Sequence, residues 1–314
     1  FSMKLDVIIP VYHPDEKLHR LLLGIERQTC QPEHIFLLHT EERGVREKLN
    51  WAIPESIVGI VQIIRVEKQE FDHGGTRDRG MQRSEADVVL CMTQDAVPFR
   101  ENLLESLMKT LEQDEKIAVV YGRQIPESKS NILERYTRAF NYPSQSRVKS
   151  KSDLRGLGIK TYFCSNVCAA YRRDIYQKLG GFEKHIIFNE DMVYAAKVIQ
   201  KGYFIAYDAE AMVRHSHNYT YKQLVKRNFD MGVSQACYPE IFKHVKSEKE
   251  GIRMIFKIMG ELTESRQFIQ MGKFLIESSL KYVGYQLGKH YKWLPERMVL
   301  ELTMNEEYWK ERKR

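Results

Sequence analysis

Short apolar runs alternate with stretches of helical period along the first 125 residues of this chain, and that alternation restricts it to a layered α/β fold. Lys4–Tyr12 (KLDVIIPVY) is apolar almost throughout, as a strand covered on both faces requires. Asp15–Thr29 follows with Leu18, Leu21, Leu22 and Ile25 on one helical face, and Pro32 separates it from a second strand at Ile35–Leu38. A polar crossing leads to a third strand, Ile60–Val66, and Asp87–Met92 is a fourth. Asn102–Gln113 has the period of an amphipathic helix, and Ile117–Tyr121 is a further strand. The order predicts a doubly wound, mostly parallel sheet.

Chemistry concentrates between the third and fourth strands. His73-Gly74-Gly75 reads as a glycine turn that lets the backbone approach a ligand, with a helix beginning at Thr76-Arg77. After the fourth strand, Thr93-Gln94-Asp95-Ala96-Val97-Pro98 stops the run and leaves a carboxylate at the carboxyl end of a central strand, where open α/β sheets bind ligands. Pro10, Val11 and Tyr12 end the first strand, and Thr40 and Glu41 follow the second. Neighbouring strand ends of this kind make a crevice for a base and a ribose. Arg77 beside the glycines can fork onto a phosphate. Asn189-Glu190-Asp191 opens a helix, whose N-terminus favours a carboxylate, and Arg214-His215-Ser216-His217-Asn218 places two histidines on one face of an extended chain.

These ordered motifs resemble the GT-A glycosyltransferases, specifically the rhamnosyltransferase branch of family 2, in which an HGGTR-like turn and a TQDA segment replace the common ARN and Asp-x-Asp segments. The resemblance covers roughly the first two-thirds of the chain. It implies a GT-A domain over residues 3–220; beyond it the pattern turns helical and the composition basic over 221–314. It also implies a nucleotide-sugar donor bound by Pro10, Val11, Tyr12, Thr40, Glu41, His73, Gly74, Arg77, Gln94 and Asp95, and a divalent ion, Mg or Mn, on Asp95 and His217. Thr93 stands where the first acid of the common motif would be, and His217 is favoured over His215 as the second ligand. Asp191 is the implied catalytic base of an inverting transfer, with Glu190 as runner-up because two neighbours cannot both face the sugar. The donor so implied is dTDP-β-L-rhamnose, and the acceptor a polysaccharide or its lipid-linked precursor. Alternatives are a family 2 enzyme using a UDP-hexose, an inactive GT-A scaffold that only binds, and a basic nucleic-acid-binding protein.

The rest of the sequence bounds these readings. Walker A, HExxH, GxSxG and GxGxxG patterns are missing, and no RNP-like motif supports nucleic-acid binding. Phe1 and Ser2 precede Met3 and are expected to be foreign to the native start, and no signal-peptide pattern follows. The five cysteines lack disulfide or zinc spacing and read as reduced thiols of a cytoplasmic protein. Pro126–Gly158 lacks a sustained period and reads as a mobile lid; Phe204–Tyr207 and Ala211–Val213 read as two short strands. Net charge is +7, of which residues 221–314, with 18 basic and 12 acidic side chains, carry +6. There Phe268, Met271, Leu275 and Tyr282 or Val283 form an apolar stripe expected to pack on the catalytic domain or on a second copy in a homodimer. The lysines and the terminal WKERKR would then face an anionic inner-membrane surface, holding the protein there peripherally.

Overall fold

The computed structural model describes residues 3–42, 44–217, 219–245 and 247–311; Asn218 and the last three residues of WKERKR lie outside them. The chain begins β1 (Leu5–Val11), α1 (Glu16–Glu26), β2 (His34–Glu41), β3 (Val61–Glu67), α2 (His73–Arg83), β4 (Val88–Met92) and β5 (Val97–Pro98). It continues with α3 (Leu103–Glu112), β6 (Ile117–Ile125), α4 (Ile132–Asn141), β7 (Arg147–Lys149), α5 (Leu154–Leu157), β8 (Cys168–Arg172), α6 (Arg173–Lys178), α7 (Glu190–Gln200) and β9 (Phe204–Arg214). Among the described residues these strands form one sheet in the order β3-β2-β1-β4-β8-β6-β9-β5, with β7 on β9.

The apolar run of β1 is explained by its neighbours. Paired in parallel with β2 and β4, it lies inside the sheet. Alternate side chains point to opposite faces, so Ile8, Phe36, Leu38, Val89 and Cys91 join one core with α2 and α7. Val7, Ile9, Ile35, Leu37 and Leu90 join another with α1 and α3. Asp15 starts α1 by accepting the Lys17 N–H at 2.9 Å, which fixes the phase that buries Leu18, Leu21, Leu22 and Ile25.

Four sequence expectations change. The sheet is mixed: β3-β2-β1-β4 is parallel, but β8 runs antiparallel to both β4 and β6. β9 is one strand from Phe204 to Arg214, and its register against β6 slips between Gly122 and Arg123 where the sequence had suggested a break. Pro126–Gly158 is ordered into α4, β7 and α5 rather than a lid. Leu133 of α4 is buried against Ile258, Leu262 and Phe274, partners more than a hundred residues away that local periodicity cannot reveal. His73-Gly74-Gly75 is the first turn of α2, not a turn before it, and neither glycine has a positive φ. Asp72 caps this helix, its carboxylate accepting from Gly75 N (2.6 Å), His185 N and Ile186 N (both 2.9 Å). Gly74 is required by close packing, since a Cβ there would lie 1.8 Å from the Glu183 carbonyl oxygen.

The last third is helical: α8 (Tyr221–Cys237), α9 (Pro239–Phe242), α10 (Ser247–Glu264), α11 (Phe268–Lys289), α12 (Glu296–Leu302) and α13 (Glu306–Glu311). Within this chain Met271 of the expected stripe packs inward, against the cluster of Leu133, Ile258, Leu262 and Phe274. Phe268, Leu275, Tyr282 and Val283 are exposed, and α11 instead turns Phe274, Gly284, Tyr285 and Gly288 inward. Glycines set this face: a Cβ on Gly284 would meet the Val225 carbonyl at 2.4 Å, and one on Gly288 the Phe229 carbonyl at 2.0 Å. α8 and α11 therefore touch backbone to backbone. Among the described residues no helix is long and apolar enough to cross a membrane.

Two alanine substitutions on this one helix separate packing from propensity. Gly288→Ala must push α8 and α11 apart and is expected to lower stability by about 1–3 kcal/mol. Gly272→Ala, with open space at its Cβ position, should leave stability unchanged or raise it by about 0.5–1 kcal/mol. Urea unfolding monitored by circular dichroism measures both; equal effects would contradict the close approach.

Candidate active site

A cavity of about 830 Å³ opens at the carboxyl ends of β4 and β6, between the sheet, α4, α7 and the C-terminal helices. The chain termini of the strands build one side of it. β5 pairs with the end of β9, Val97 opposite Arg214, so Asp95 just before β5 meets His215 just after β9. Asp95 Oδ1 lies 3.4 Å from His215 Nε2, and Asp95 Oδ2 lies 3.7 Å from His217 Nδ1. One ligand atom from each of the three residues falls within 4.8 Å of the others.

His215 is buried, and its Nδ1 is 3.0 Å from Gln124 Oε1 and 3.3 Å from Arg138 Nη2. Gln124 Oε1 is an acceptor, because Arg138 also donates to it while the Gln124 amide nitrogen donates to Ser165 at 2.9 Å. His215 Nδ1 thus faces an acceptor oxygen and a donor guanidinium, and its Nε2 faces Asp95. Burial lowers the pKa of His215, although Asp95 opposes this. Burial, with His215 beside it, likewise pushes His217 down to about 3. Burial disfavours the Asp95 carboxylate, but the hydrogen bond and charge of His215, with His217, outweigh it and hold the group well below the usual range. A carboxylate oxygen and two imidazole nitrogens thus converge, a ligand set suited to a divalent cation.

Across the cavity α7 presents its two acids. Asn189 precedes them at φ +66, a left-handed conformation asparagine tolerates. Glu190 is buried and accepts from Arg77 Nη1 and Asn166 Nδ2, each at 3.0 Å. Asp191 is half-buried at the cavity wall, accepting the backbone N–H of Asn166 at 3.0 Å and of Met192 at 2.8 Å. Burial and the Glu190 charge beside it raise Asp191 to about 7, while burial of Glu190 is overcome by Arg77, which lowers it. The pair therefore divides: Glu190 is the permanent anion and Asp191 the group that can take up a proton near neutrality.

A second cavity of about 300 Å³ sits at the ends of β1 and β2 and shares His73, Phe188 and Arg227 with the first, so the two form one groove. Tyr12, Thr40 and Phe71 line it on one side, Met304 and Asn305 of the returning C-terminal segment on the other. Thr40 Oγ1 is buried without a hydrogen-bond partner, as are Arg77 Nε and Thr93 Oγ1 in the larger cavity.

Of the residues singled out in sequence, Tyr12, Thr40 and His73 line the smaller cavity, and His73, Arg77, Asp95, Asp191 and His217 the larger. Gln94 lies beneath, its amide exchanging hydrogen bonds with the backbone of Tyr12 at 2.8 and 2.9 Å. Pro10 and Val11 belong to the packed end of β1, and Gly74 to the seam against Glu183. Glu41 is held by both its oxygens, each 3.0 Å from Arg65 Nη1. Sequence reasoning passed over Gln124, Arg138, Asn166 and Arg227, which carry no motif. Arg227 of α8, its guanidinium 4.8 Å from the Phe188 ring and 5.3 Å from that of Tyr219, would have needed the knowledge that α8 folds over the groove.

Arg77 tests the assignment of Glu190. Arg77→Met leaves a buried carboxylate unpaired and should cost about 3–5 kcal/mol in urea unfolding, whereas Arg77→Met with Glu190→Gln should recover most of it. A small loss in the single variant, with no recovery in the double, would mean the pair is not coupled.

Comparison with known proteins accords with this geometry. Residues 6–180 match the family described as Glycosyl transferase family 2. The chain is 38% identical over 309 residues to the O-antigen chain rhamnosyltransferase RfbN of Salmonella typhimurium, covering 98% of this chain and 96% of that one. It is 37% identical to the O-antigen chain rhamnosyltransferase WbaN of Salmonella anatum, covering 96% and 95%. Among solved structures, the mannosyltransferase PcManGT from Pyrobaculum calidifontis, in complex with GDP-Man and Mn2+, superposes with a TM-score of 0.62 over 93% of this chain and 88% of that one at 12% identity. S. aureus TarS 1-349 in complex with UDP-GlcNAc gives 0.52 over 92% of each chain, also at 12% identity. At such identities the structural likeness speaks for the GT-A fold alone. The family match over more than half the chain and the near full-length relatives establish that this protein is a glycosyltransferase and belongs to glycosyl transferase family 2.

Proposed function

We propose that the protein is a metal-dependent, inverting rhamnosyltransferase that moves L-rhamnose from dTDP-β-L-rhamnose to a saccharide acceptor, polymeric or lipid-linked. The observation that carries the reaction type is the cavity itself, where Asp95, His215 and His217 face one wall and Asp191 another. The sugar and acceptor class rest on the two relatives named as O-antigen chain rhamnosyltransferases. The base fits the smaller cavity, between Tyr12 and Phe188 near the unpartnered Thr40 hydroxyl, and the diphosphate lies toward Arg77, Arg227 and Asp95. Two imidazoles beside one carboxylate favour Mn over Mg. Bound there, the ion supplies Lewis acidity to the departing diphosphate.

The chain's own residues do the rest. Asp191, held by two backbone N–H groups, accepts the proton of the acceptor hydroxyl as that oxygen attacks the anomeric carbon and the diphosphate leaves. Glu190 and Arg77 fix the start of α7 and keep Asp191 aimed at the cavity.

Purified protein with Mn2+ and a panel of nucleotide sugars is the test. dTDP-β-L-rhamnose is expected to turn over fastest, and faster turnover of a UDP-hexose would overturn the donor assignment. Asp191→Asn should slow transfer by roughly 100-fold or more with donor affinity nearly unchanged. Asp95→Asn should lose about 100-fold or more even with metal present. Normal transfer in either variant would remove that residue from the mechanism.

A further inference from the structure

The last segment of the chain returns to the smaller cavity at the ends of β1 and β2. α12 stops at Leu302, Thr303 is extended at φ −83 and ψ 153, and Met304, Asn305 and Glu307 then line that cavity. This strap lies well beyond residues 6–180, the span of the family match.

A buried acid fastens it. Asp230 of α8 is 4% exposed, and both its oxygens go to the strap: Oδ1 accepts from Thr303 Oγ1 at 2.6 Å and Oδ2 from Met304 N at 2.9 Å. Thr303 is buried in turn. Its hydroxyl oxygen accepts from Asn305 N at 3.0 Å, and its carbonyl accepts from Lys226 Nζ of α8 at 3.1 Å. Further on, Tyr308 and Trp309 pack against the buried cluster of Ile187, Phe229, Tyr291 and Val299. Taking a carboxylate out of water is costly unless its oxygens are bonded. Burial pushes Asp230 up to about 6, against the bonds from Thr303 and Met304 and the charges of Lys226 and Arg227. Arg227, which lines both cavities, precedes Asp230 by three residues on the same helix face, so one turn of α8 places the strap and a cation of the groove together.

What the strap offers the cavity is specific. Met304 is 49% exposed although it borders a hollow lined by Tyr12, Phe71 and Ile187. The Tyr12 ring is fixed by its hydroxyl, which donates to Glu42 at 2.8 Å. The half-buried Asn305 side chain has no hydrogen-bond partner among the described residues, and the buried Thr40 hydroxyl of the same cavity has none either. Glu307 is occupied by Lys310 at 2.8 Å. An aromatic ring and a thioether suit the two faces of a flat ring. A carboxamide, at once donor and acceptor, suits the edge of a base that carries an N–H beside a carbonyl.

We propose that the strap is the outer half of the base site: Met304 covers the face of the donor's base opposite Tyr12, Asn305 pairs with its imide edge, and Asp230 is the positioning residue that holds both there. The proposal rests on the nucleotide-sugar reading and adds that the grip on the base is completed by a segment outside the matched family domain. Removing the strap's side chains should therefore weaken the base's contribution to binding and leave that of the phosphates.

Calorimetric titration with dTDP and with inorganic pyrophosphate, both with Mn2+, is the test. Wild-type protein should bind dTDP more tightly than pyrophosphate by about tenfold or more. Met304→Ala with Asn305→Ala alters side chains at the surface of the strap and should keep the wild-type melting temperature. It should weaken dTDP by about tenfold or more and leave pyrophosphate within about twofold. Asp230→Asn turns an amide N–H toward one of the strap's donors; it should weaken dTDP likewise, and in turnover raise KM for the sugar donor by about tenfold or more with kcat nearly unchanged. Unchanged dTDP affinity in the double variant would overturn the proposal, even where Asp230→Asn fails to fold. Equal weakening of dTDP and pyrophosphate would mean that the strap acts on the groove as a whole, and would also overturn it. Wild-type protein that binds dTDP no better than pyrophosphate is a different result: it would remove the base from the smaller cavity, and with it the donor reading on which the strap depends.

Discussion

The buried pair of Arg77 and Glu190 is the constraint on which the active site turns. Two charges are out of water, 3.0 Å apart, with the Asn166 amide completing the carboxylate. Such a pair contributes little net stability, but removing either partner is severe, so it acts chiefly as a specification of geometry. Arg77 comes from α2, Asn166 from the approach to β8 and Glu190 from the start of α7. Once these are tied, Asp191 must face the cavity, and it must do so next to a fixed negative charge.

That arrangement gives two adjacent carboxylates different duties. Arg77 keeps Glu190 ionised, and the resulting charge, after burial, raises Asp191 to about 7. On the opposite wall the same logic runs with the sign reversed: burial lowers the pKa of His215 and His217, while their contacts hold Asp95 ionised. Asp191 and the cluster of Asp95, His215 and His217 thereby stand on separate walls of one cavity. Membership of glycosyl transferase family 2 accords with that separation.

How much of this was legible in the sequence follows from how local each signal is. Asp95 could be read because a strand end is visible as an apolar run that stops. Asp191 stood out from Glu190 only by resemblance; the reason it is the free one, the Arg77 contact to its neighbour, spans 113 positions and has no sequence signature. His217 was favoured over His215, yet both converge on Asp95; burial and the Gln124 contact that orients the His215 ring cannot be seen in a five-residue run. Gly74 misled because glycine serves both a turn and a close packing seam, and here the Glu183 carbonyl decides for the seam. On α11 the face turned toward α8 is marked by the smallness of Gly284 and Gly288, which an apolar count passes over, while Phe268 and Tyr282 are exposed on this chain. Strands and long helices were readable because their period is in the chain; sheet direction, helix-pair seams and the walls of α4 and β7 were not, because their partners are remote.

The division between the two acids can be measured directly. Protein labelled with carbon-13 at the aspartate carboxyls, titrated by NMR, should show a resonance with a midpoint near pH 7 that disappears in Asp191→Asn. If every aspartate carboxyl instead titrates in the ordinary range around pH 4, Asp191 is no proton acceptor near neutrality and this account of the site is wrong.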